Sequence, residues 1–329
     1  MKGKIIKLLK DSGNDFVSGQ KISEALGVSR AAIWKHINVI KEDGYEIEAI
    51  SRKGYRIISS PDILTFEEIR SYLFTECIGK NIIYYDSIGS TNSKAKELAE
   101  IGQEHGTVVI SEEQTTGRGR LGRNFISPKY KGIWMSIILR PDIITENISQ
   151  ITLLGAAAVQ SAIMKMGIKT SIKWPNDIIL NSKKVCGILT EMSGEINHIN
   201  YLVMGIGINV NLEEEDIPHE LKDVATSIKL ESGRYMERKI LIANILNIFE
   251  KLYIEYVKND NINETIEICR KNSNLIGKEI QLINRGKVTT ARAIDISDKG
   301  ELVIENSQGI IEYVVSGEVS VRGIYGYNK

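Results

Sequence analysis

Apolar residues recur at helical spacing in three short stretches near the N-terminus. Ile5, Ile6, Leu8 and Leu9 mark one amphipathic helix, and Ile22, Ala25 and Leu26 mark a second that Gly27 ends. Ile33, Ile37 and Ile40 fall at i, i+4 and i+7 on a third helix, capped by Ser29 and running to about Lys41. Two helices joined by a tight glycine-containing turn predict a helix-turn-helix. Glu46–Ile50 and Tyr55–Ile58 then flank the polar Ser51-Arg52-Lys53-Gly54, the pattern of a hairpin with a basic tip, so the unit reads as a winged helix-turn-helix. Polar Ser59-Ser60 and Pro61 mark a linker, which bounds a first domain at 1–62.

The pattern changes in the middle of the chain. Tyr84-Tyr85-Asp86, Thr107–Ser111, Ile133–Leu139, Ile178–Leu180 and Val185–Glu191 read as strands, with helices over Lys94–Ala99 and Ile151–Met166. Met204–Asn211 is a strand with glycine at alternate positions, so one face carries no side chains and a flat ligand could lie on its backbone. Leu241, Ile245, Ile248 and Leu252 form the buried stripe of a long packing helix over 239–257. After it, short alternating segments are punctuated by Asn284-Arg285-Gly286, Asp298-Lys299-Gly300 and Ser307-Gln308-Gly309, hairpin turns of a small antiparallel β-unit. The fold class is therefore α+β, with a central α/β domain at 63–270, built on a mixed sheet with helices, and a small β-barrel at 271–329.

Composition narrows the classes. A chain of 329 residues, 42% hydrophobic and 26% charged, suits two or three globular domains. Net charge is zero, which argues against a chain that coats nucleic acid along its length, yet residues 1–60 hold 11 Lys/Arg against 7 Asp/Glu, a local excess of +4. On the third helix Ser29, Arg30, Ala31, Trp34, Lys35 and Asn38 lie off the apolar stripe, and small, basic and amide side chains there suit phosphates and base edges. With Arg52 and Lys53 on the wing tip, DNA is the favoured partner; a three-helix protein-interaction module is the alternative. Cys77, Cys186 and Cys269 are far apart and odd in number, which fits free thiols in a reducing compartment, hence a cytoplasmic protein, with no run long enough to span a membrane. Four scattered histidines without metal-binding spacing predict no dedicated metal site.

The chemistry gathers around Gly117-Arg118-Gly119-Arg120-Leu121-Gly122-Arg123. Three glycines loosen the backbone and three guanidiniums resist burial, so this is a loop whose forks await a carboxylate or phosphate that orders it. Its glycines match the dinucleotide fingerprint as letters, but Pro128 and a strand follow where a helix is required, and no Gly-Lys-Ser/Thr follows for a Walker loop. Ser90-Thr91-Asn92 before a helix exceeds what one cap needs and leaves groups for a ligand. Trp174-Pro175-Asn176-Asp177 is a polar turn ahead of a hairpin that carries Lys184 at the base of its second strand. Each feature alone has an ordinary explanation in turns and surface lysines; together they outline a site for a small acid and a nucleotide phosphate.

Gly117-Arg118-Gly119-Arg120-x-Gly122-Arg123, Lys173-Trp174-Pro175-Asn176-Asp177, Lys184-x-x-Gly187-Ile188-Leu189 and Gly205-Ile206-Gly207-Ile208-Asn209 resemble, in that order, the motifs of biotin protein ligases. With the winged unit in front, the whole chain resembles the bifunctional form, biotin ligase and biotin operon repressor in one polypeptide. The resemblance implies a class II synthetase-like central domain and an SH3-like C-terminal barrel, closed by Ser316–Arg322. It implies that Ser90, Thr91, Asn92, Gln114, Gly117, Arg118, Gly119, Arg120 and Lys184 contact biotin or biotinyl-adenylate, with Gly187, Gly205 and Gly207 as walls. Trp174, Asn176, Asp177 and Asn209 would lie on the nucleotide and magnesium side. Leu121 departs from the family, many members of which have arginine there, and nothing in Asn211–Ile228 is assigned.

A carboxylate is already ionised at neutral pH, so joining it to ATP requires positioning and charge neutralisation rather than a strong base. Arg118, Arg120, Lys184 and Asp177 are the candidates for that work. ATP and Mg²⁺, carried with ATP, are the expected cofactors, and biotin serves as substrate and co-repressor. The expected partners are a biotin carboxyl carrier protein domain, operator DNA and a second copy of the chain when biotinyl-AMP is bound. A lipoate or octanoate ligase, and a biotin-sensing repressor without ligase activity, are the alternative functions.

Overall fold

Three helices form where the N-terminal apolar spacing places them: α1 (Lys2–Asp11), α2 (Gly19–Leu26) and α3 (Arg30–Glu42). In the computed structural model, which describes residues 1–143, 147–195, 198–284, 287–316 and 320–323, they belong to the first of two compact units, Met1–Ser71 and Tyr72–Lys329. Ile5, Leu9, Ile22, Ile33, Ile37 and Ile40 are buried together in the first unit. Ala25, expected on the same stripe, is exposed, because the two-turn helix α2 buries only Ile22. Ser29 caps α3 by accepting the Ala32 N–H at 3.2 Å.

The wing is the antiparallel pair β1 (Glu46–Ile50) and β2 (Gly54–Ser59). Val17 and Tyr55 exchange backbone hydrogen bonds at 2.9 Å, which brings the chain so close that a Cβ on Gly54 would stand 2.1 Å from the Val17 carbonyl oxygen. A short helix, α4 (Phe66–Ile69), also lies in this unit, beyond the expected linker at Pro61. Its buried Glu68 accepts from the Tyr45 hydroxyl at 2.6 Å and pairs with Lys10 at 2.7 Å.

The second unit begins with β3 (Ile82–Tyr85), α5 (Thr91–Glu100), β4 (Val108–Ser111) and β5 (Gly132–Leu139). Next come α6 (Ile148–Lys165), β6 (Ser171–Lys173), β7 (Asp177–Leu180), β8 (Lys183–Glu195) and β9 (His198–Asn209). The strands form one seven-stranded mixed sheet in the order β3-β4-β5-β9-β8-β7-β6, with β3 and β4 parallel and the other pairs antiparallel. Every residue of β5 is buried, because helices cover both faces of the sheet. α5 packs on Val109, Ile138 and Val203, while α6 brings Gly155 against Met204 and Ile188 on the opposite face.

Three helices follow: α7 (Ile228–Ser232), α8 (Arg238–Asn259) and α9 (Asn263–Lys271). The C-terminal strands β10 (Glu279–Asn284), β11 (Lys287–Ile296), β12 (Leu302–Asn306), β13 (Ile311–Val314) and β14 (Ser320–Gly323) make an antiparallel sheet in the order β13-β12-β11-β10-β14. The turns at Asp298–Gly300 and Ser307–Gly309 stand where expected, with Gly300 and Gly309 at φ of +85° and +76°. Arg285 and Gly286 of the first expected turn, and Gly317–Val319 of the expected closing strand, lie outside the described residues. Among the described residues no helix is long and apolar enough to cross a membrane.

Candidate active site

The arginine–glycine loop leaves β4 and returns at β5, and its glycines serve close approach. Phe125 donates its N–H to the Gly117 carbonyl at 2.9 Å, which leaves 2.2 Å between the Phe125 carbonyl oxygen and the position a Gly117 Cβ would take. Farther out, Gly119 donates to the Arg123 carbonyl at 2.7 Å. Leu121 and Gly122 adopt left-handed φ values of +58° and +71°, so the loop turns back sharply at its tip and leaves Leu121 exposed. Gly117 thus forms the neck of the loop and is not on the cavity wall.

The other site residues meet around one cavity of about 550 Å³. Ser90, Thr91 and Asn92 enter it from the start of α5, Gln114, Arg118, Gly119 and Arg120 from the loop, and Trp174, Asn176 and Asp177 from the turn before β7. Lys184 and Gly187 come from β8, and Gly205, Gly207 and Asn209 from β9. Residues up to 119 apart in sequence converge because β8 and β9 pair along their length while β5 and the loop flank β9.

The polar groups are organised in pairs. Lys184 Nζ lies 2.6 Å from Asp177 Oδ1, and Arg120 donates to Asn176 Oδ1 at 2.8 Å. Asn176 in turn donates to the Ile188 carbonyl at 3.0 Å, and Asn209 to the Thr226 carbonyl at 3.0 Å. Gln114 Oε1 accepts from the Thr91 N–H at 2.9 Å, and its Nε2 donates to Ser127 at 2.9 Å. Trp174 lines the cavity with its ring, but its indole N–H is given to the Gly300 carbonyl at 2.9 Å, so the C-terminal sheet is docked onto this turn. The wall carries Arg118, Arg120, Arg123, Lys173 and Lys184 against Asp177 and Asp216, an excess of positive charge suited to an anionic ligand. Burial pushes the Cys186 thiol up, so this neighbour of Lys184 stays protonated and is no nucleophile.

Two features differ from the sequence reading. The glycine face of β9 is not bare: a Cβ on Gly207 would stand 2.6 Å from the Phe125 ring, and one on Gly205 would stand 2.1 Å from Asn92 Oδ1. The missing side chains make room for these two residues. The second is the segment after β9, where nothing was assigned. Leu212, Ile217, Leu221 and Val224 from it line the cavity, and its backbone brackets Lys184, which donates its N–H to Val224 and accepts from Thr226 at 2.9 and 3.0 Å. Apolar residues at spacings of five, four and three in an otherwise acidic stretch were the available signal. Leu212 and Ile217 are buried with Trp134, and Phe125 packs on that group, edge to face with Trp134 at 5.8 Å between centroids. Among the described residues no group of three or more His, Cys, Asp or Glu could hold a metal.

In the N-terminal unit, Ser29, Arg30, Ala31, Trp34 and Lys35 are exposed on α3, Asn38 is half-buried beside them, and Arg52 and Lys53 are exposed on the wing. Trp34 is 58% exposed, unusual for so large an apolar ring and a mark of a contact surface. Lys53 and Arg56 both lie over the Phe16 ring, at 5.9 and 4.7 Å, which steadies the base of the wing.

Models of known families match three segments: the biotin/lipoate A/B protein ligase family at residues 84–209, a helix-turn-helix domain at 2–56, and the biotin protein ligase C-terminal domain at 275–322. The bifunctional ligase/repressor BirA of Bacillus subtilis is 44% identical over 93% of this chain and 94% of its own. The chain belongs to the bifunctional biotin ligase/repressor family. A more distant family member, the bifunctional ligase/repressor BirA of Escherichia coli, is 28% identical over 97% of this chain and 96% of its own. The biotin protein ligase of Aquifex aeolicus, solved in complex with biotin and ATP, superposes with a TM-score of 0.66 at 32% identity, covering 74% of this chain and 99% of that one. All the cavity residues expected from sequence fall inside the ligase match, whereas the newly found wall from Leu212 to Val224 lies beyond its end.

Proposed function

We propose that this biotin ligase/repressor joins biotin to ATP as biotinyl-5′-AMP and passes the biotinyl group to a lysine of a biotin carboxyl carrier protein domain, and that its N-terminal unit binds operator DNA to repress biotin synthesis genes. The observation that carries the enzymatic reading is the meeting of Arg118, Arg120, Lys184 and Asp177 around one net-positive cavity. In the first step a biotin carboxylate oxygen attacks the α-phosphorus and pyrophosphate leaves. Two anions must be held in line, so Arg118 and Arg120 close over carboxylate and phosphate while Lys184 holds the acyl or bridging oxygens. Mg²⁺ bound with ATP would supply further neutralisation, and Asp177 on the cavity wall would help to place it. In the second step the neutral amine of the acceptor lysine attacks the acyl carbon, AMP leaves, and the amine loses its proton. Asp177, 2.6 Å from Lys184, suits orientation of that amine.

Ser90, Thr91, Asn92, Gln114, Gly119, Gly187, Gly205 and Gly207 would shape the biotin end, with Trp174, Asn176 and Asn209 at the nucleotide end. Gly117 acts by folding the loop neck. Adenylate bound beneath the loop would be sheltered from water and would alter the surface offered to a second copy, so the homodimer forms with biotinyl-AMP bound and then engages DNA through Ser29, Arg30, Ala31, Trp34, Lys35, Asn38, Arg52 and Lys53. Three unpaired cysteines support a cytoplasmic location. The test is incubation with ATP, Mg²⁺, labelled biotin and a carrier domain, with a gel shift on promoter DNA in parallel. Transfer of label and a biotin-dependent shift are expected. No transfer with an intact shift would leave a sensor, and transfer of lipoate instead would overturn the substrate.

A further inference from the structure

A chain of hydrogen bonds behind the biotin end of the cavity joins residues of the wall to an ion pair outside it. Asn92 Nδ2 donates to Glu191 Oε2 at 2.8 Å and to the Leu189 carbonyl at 3.3 Å, and Lys96 pairs with the other oxygen of Glu191. An ionised carboxylate only accepts, so Glu191 dictates which way the Asn92 amide faces. Asn92 Oδ1 must then accept, and the fully buried Ser136 hydroxyl lies 2.6 Å from it and 2.8 Å from Thr91 Oγ1. From the other end, Ser127 donates to the Phe125 carbonyl at 3.1 Å and therefore accepts from Gln114 Nε2, which turns Gln114 Oε1 toward Thr91. Ser136 thus gives its one proton to Asn92 Oδ1, and Thr91 has one hydroxyl proton for two acceptors, Ser136 and Gln114 Oε1, so the order imposed by Glu191 extends to Asn92 and Ser136, while Gln114 is turned by Ser127 and the Thr91 N–H.

Asn92 also stands over Gly205, where an added Cβ would lie 2.1 Å from its Oδ1, so a turned or displaced amide has no room to settle elsewhere on the floor. We infer that Glu191, with Lys96 and Ser136, is a positioning residue for biotin: none of the three lies on the cavity wall, yet together they set the orientation of Asn92, which does. This rests on the proposed biotin site. Asn92 has one way to satisfy both neighbours, and a donor in place of the Glu191 oxygen sets two donors face to face.

The experiment compares full-length wild type with Glu191→Gln, Ser136→Ala and the double variant Lys96→Met/Glu191→Gln. In Glu191→Gln the new amide is drawn to turn its oxygen to the Lys96 ammonium and its NH₂ toward Asn92, opposing the native direction. The KM for biotin should rise roughly tenfold, equivalent to about 1.4 kcal/mol. The KM for ATP and kcat at saturating biotin should change less than about twofold. Ser136→Ala should raise the biotin KM in the same selective way. Removing the ammonium lets the glutamine oxygen face Asn92 again, so the double variant should recover most of the loss, a rescue that a merely structural ion pair would not show. A biotin KM unchanged in Glu191→Gln, equal changes in biotin and ATP parameters, or no recovery in the double variant would each overturn the inference. Failure of the wild type to use biotin at all would instead sink the proposed function.

Discussion

Replacing Gly207 by alanine tests whether the arginine–glycine loop guards the adenylate through the seat of Phe125. The new Cβ would stand 2.6 Å from Phe125 Cε1 and 2.8 Å from Cζ, whereas carbon atoms pack at about 3.5–4.0 Å, so the ring must retreat by about 1 Å. It cannot do so in place, because Trp134 meets it at 5.8 Å between centroids and Gly187 flanks it on β8. Phe125 is half-buried, so unseating it forfeits about half of the roughly 1.5–3 kcal/mol of a buried phenylalanine, and with it part of an edge-to-face contact. A loss of about 1–2 kcal/mol from the closed loop is a factor of about 5–30 in its population. Pre-formed biotinyl-AMP, isolated on the protein and chased with unlabelled biotin, should therefore leave Gly207→Ala about tenfold faster, with the thermal midpoint of the protein little changed because β9 itself is not broken. Phe125→Ala should release the adenylate comparably fast, and adding Gly207→Ala to it should do little more, since the clash has then lost its partner. Release from Gly207→Ala within twofold of wild type would refute the role of Phe125 as the seat of the loop.

Arg238 on α8 and Glu112 are both fully buried and 2.6 Å apart, and Arg238 also donates to the Gly132 carbonyl at 3.0 Å, so it joins the two stems of the loop. Arg238→Met should cost about 3–5 kcal/mol in urea unfolding, with partial recovery in Glu112→Gln/Arg238→Met; a loss under about 1 kcal/mol would contradict the clamp. Burial holds the His105 imidazole below its ordinary value, with nearby Glu250 opposing and Arg140 adding to the shift, and its Nδ1 accepts the Arg140 N–H at 3.0 Å. Because the unfolded chain binds the proton first, this stabilisation is complete above about pH 6.5 and is lost as pH falls through the lower folded value. Urea midpoints at about pH 7.5 and about pH 5 should thus differ less in His105→Gln than in wild type. On the proposed DNA face, Arg52→Ala and Lys53→Ala should each flatten the slope of log affinity against log salt by roughly 0.9, the effect of losing one phosphate contact, whereas Trp34→Ala should weaken binding without changing the slope.

The elements of this protein were legible residue by residue because a helix or strand shows its buried face as a local period. Ile33, Ile37 and Ile40 on α3, the Ser29 cap and the basic wing tip needed no knowledge of anything distant, and the three structures they predict are present. The loop, the turn at Trp174–Asp177, Lys184 and the glycines of β9 were legible for a related reason: each is a short contiguous motif whose composition suits no ordinary packed element. Their meeting around one cavity comes from strand order. β9 lies between β5 and β8, so Gly207 is flanked by Trp134 on one side and Gly187 on the other, 73 and 20 residues away in the chain, an order that no local pattern states.

 

Partners were the illegible part. Phe125 on the floor of β9, Glu191 behind Asn92, Gly300 against the Trp174 indole and Val224 beside Lys184 are contacts between residues far apart in the chain. Nothing in the local pattern marks them, since an alternating strand shows which face is buried but not what covers it. The bare face expected on β9 shows the limit well: the glycines did signal close approach, and only the packed sheet supplied Asn92 and Phe125 as what approaches. Local periodicity thus settled the elements and the chemistry available to them, because backbone hydrogen bonding and burial impose it on neighbouring residues. Which polar group satisfies which was settled by folding, because a buried donor takes whatever acceptor the sheet order brings within reach.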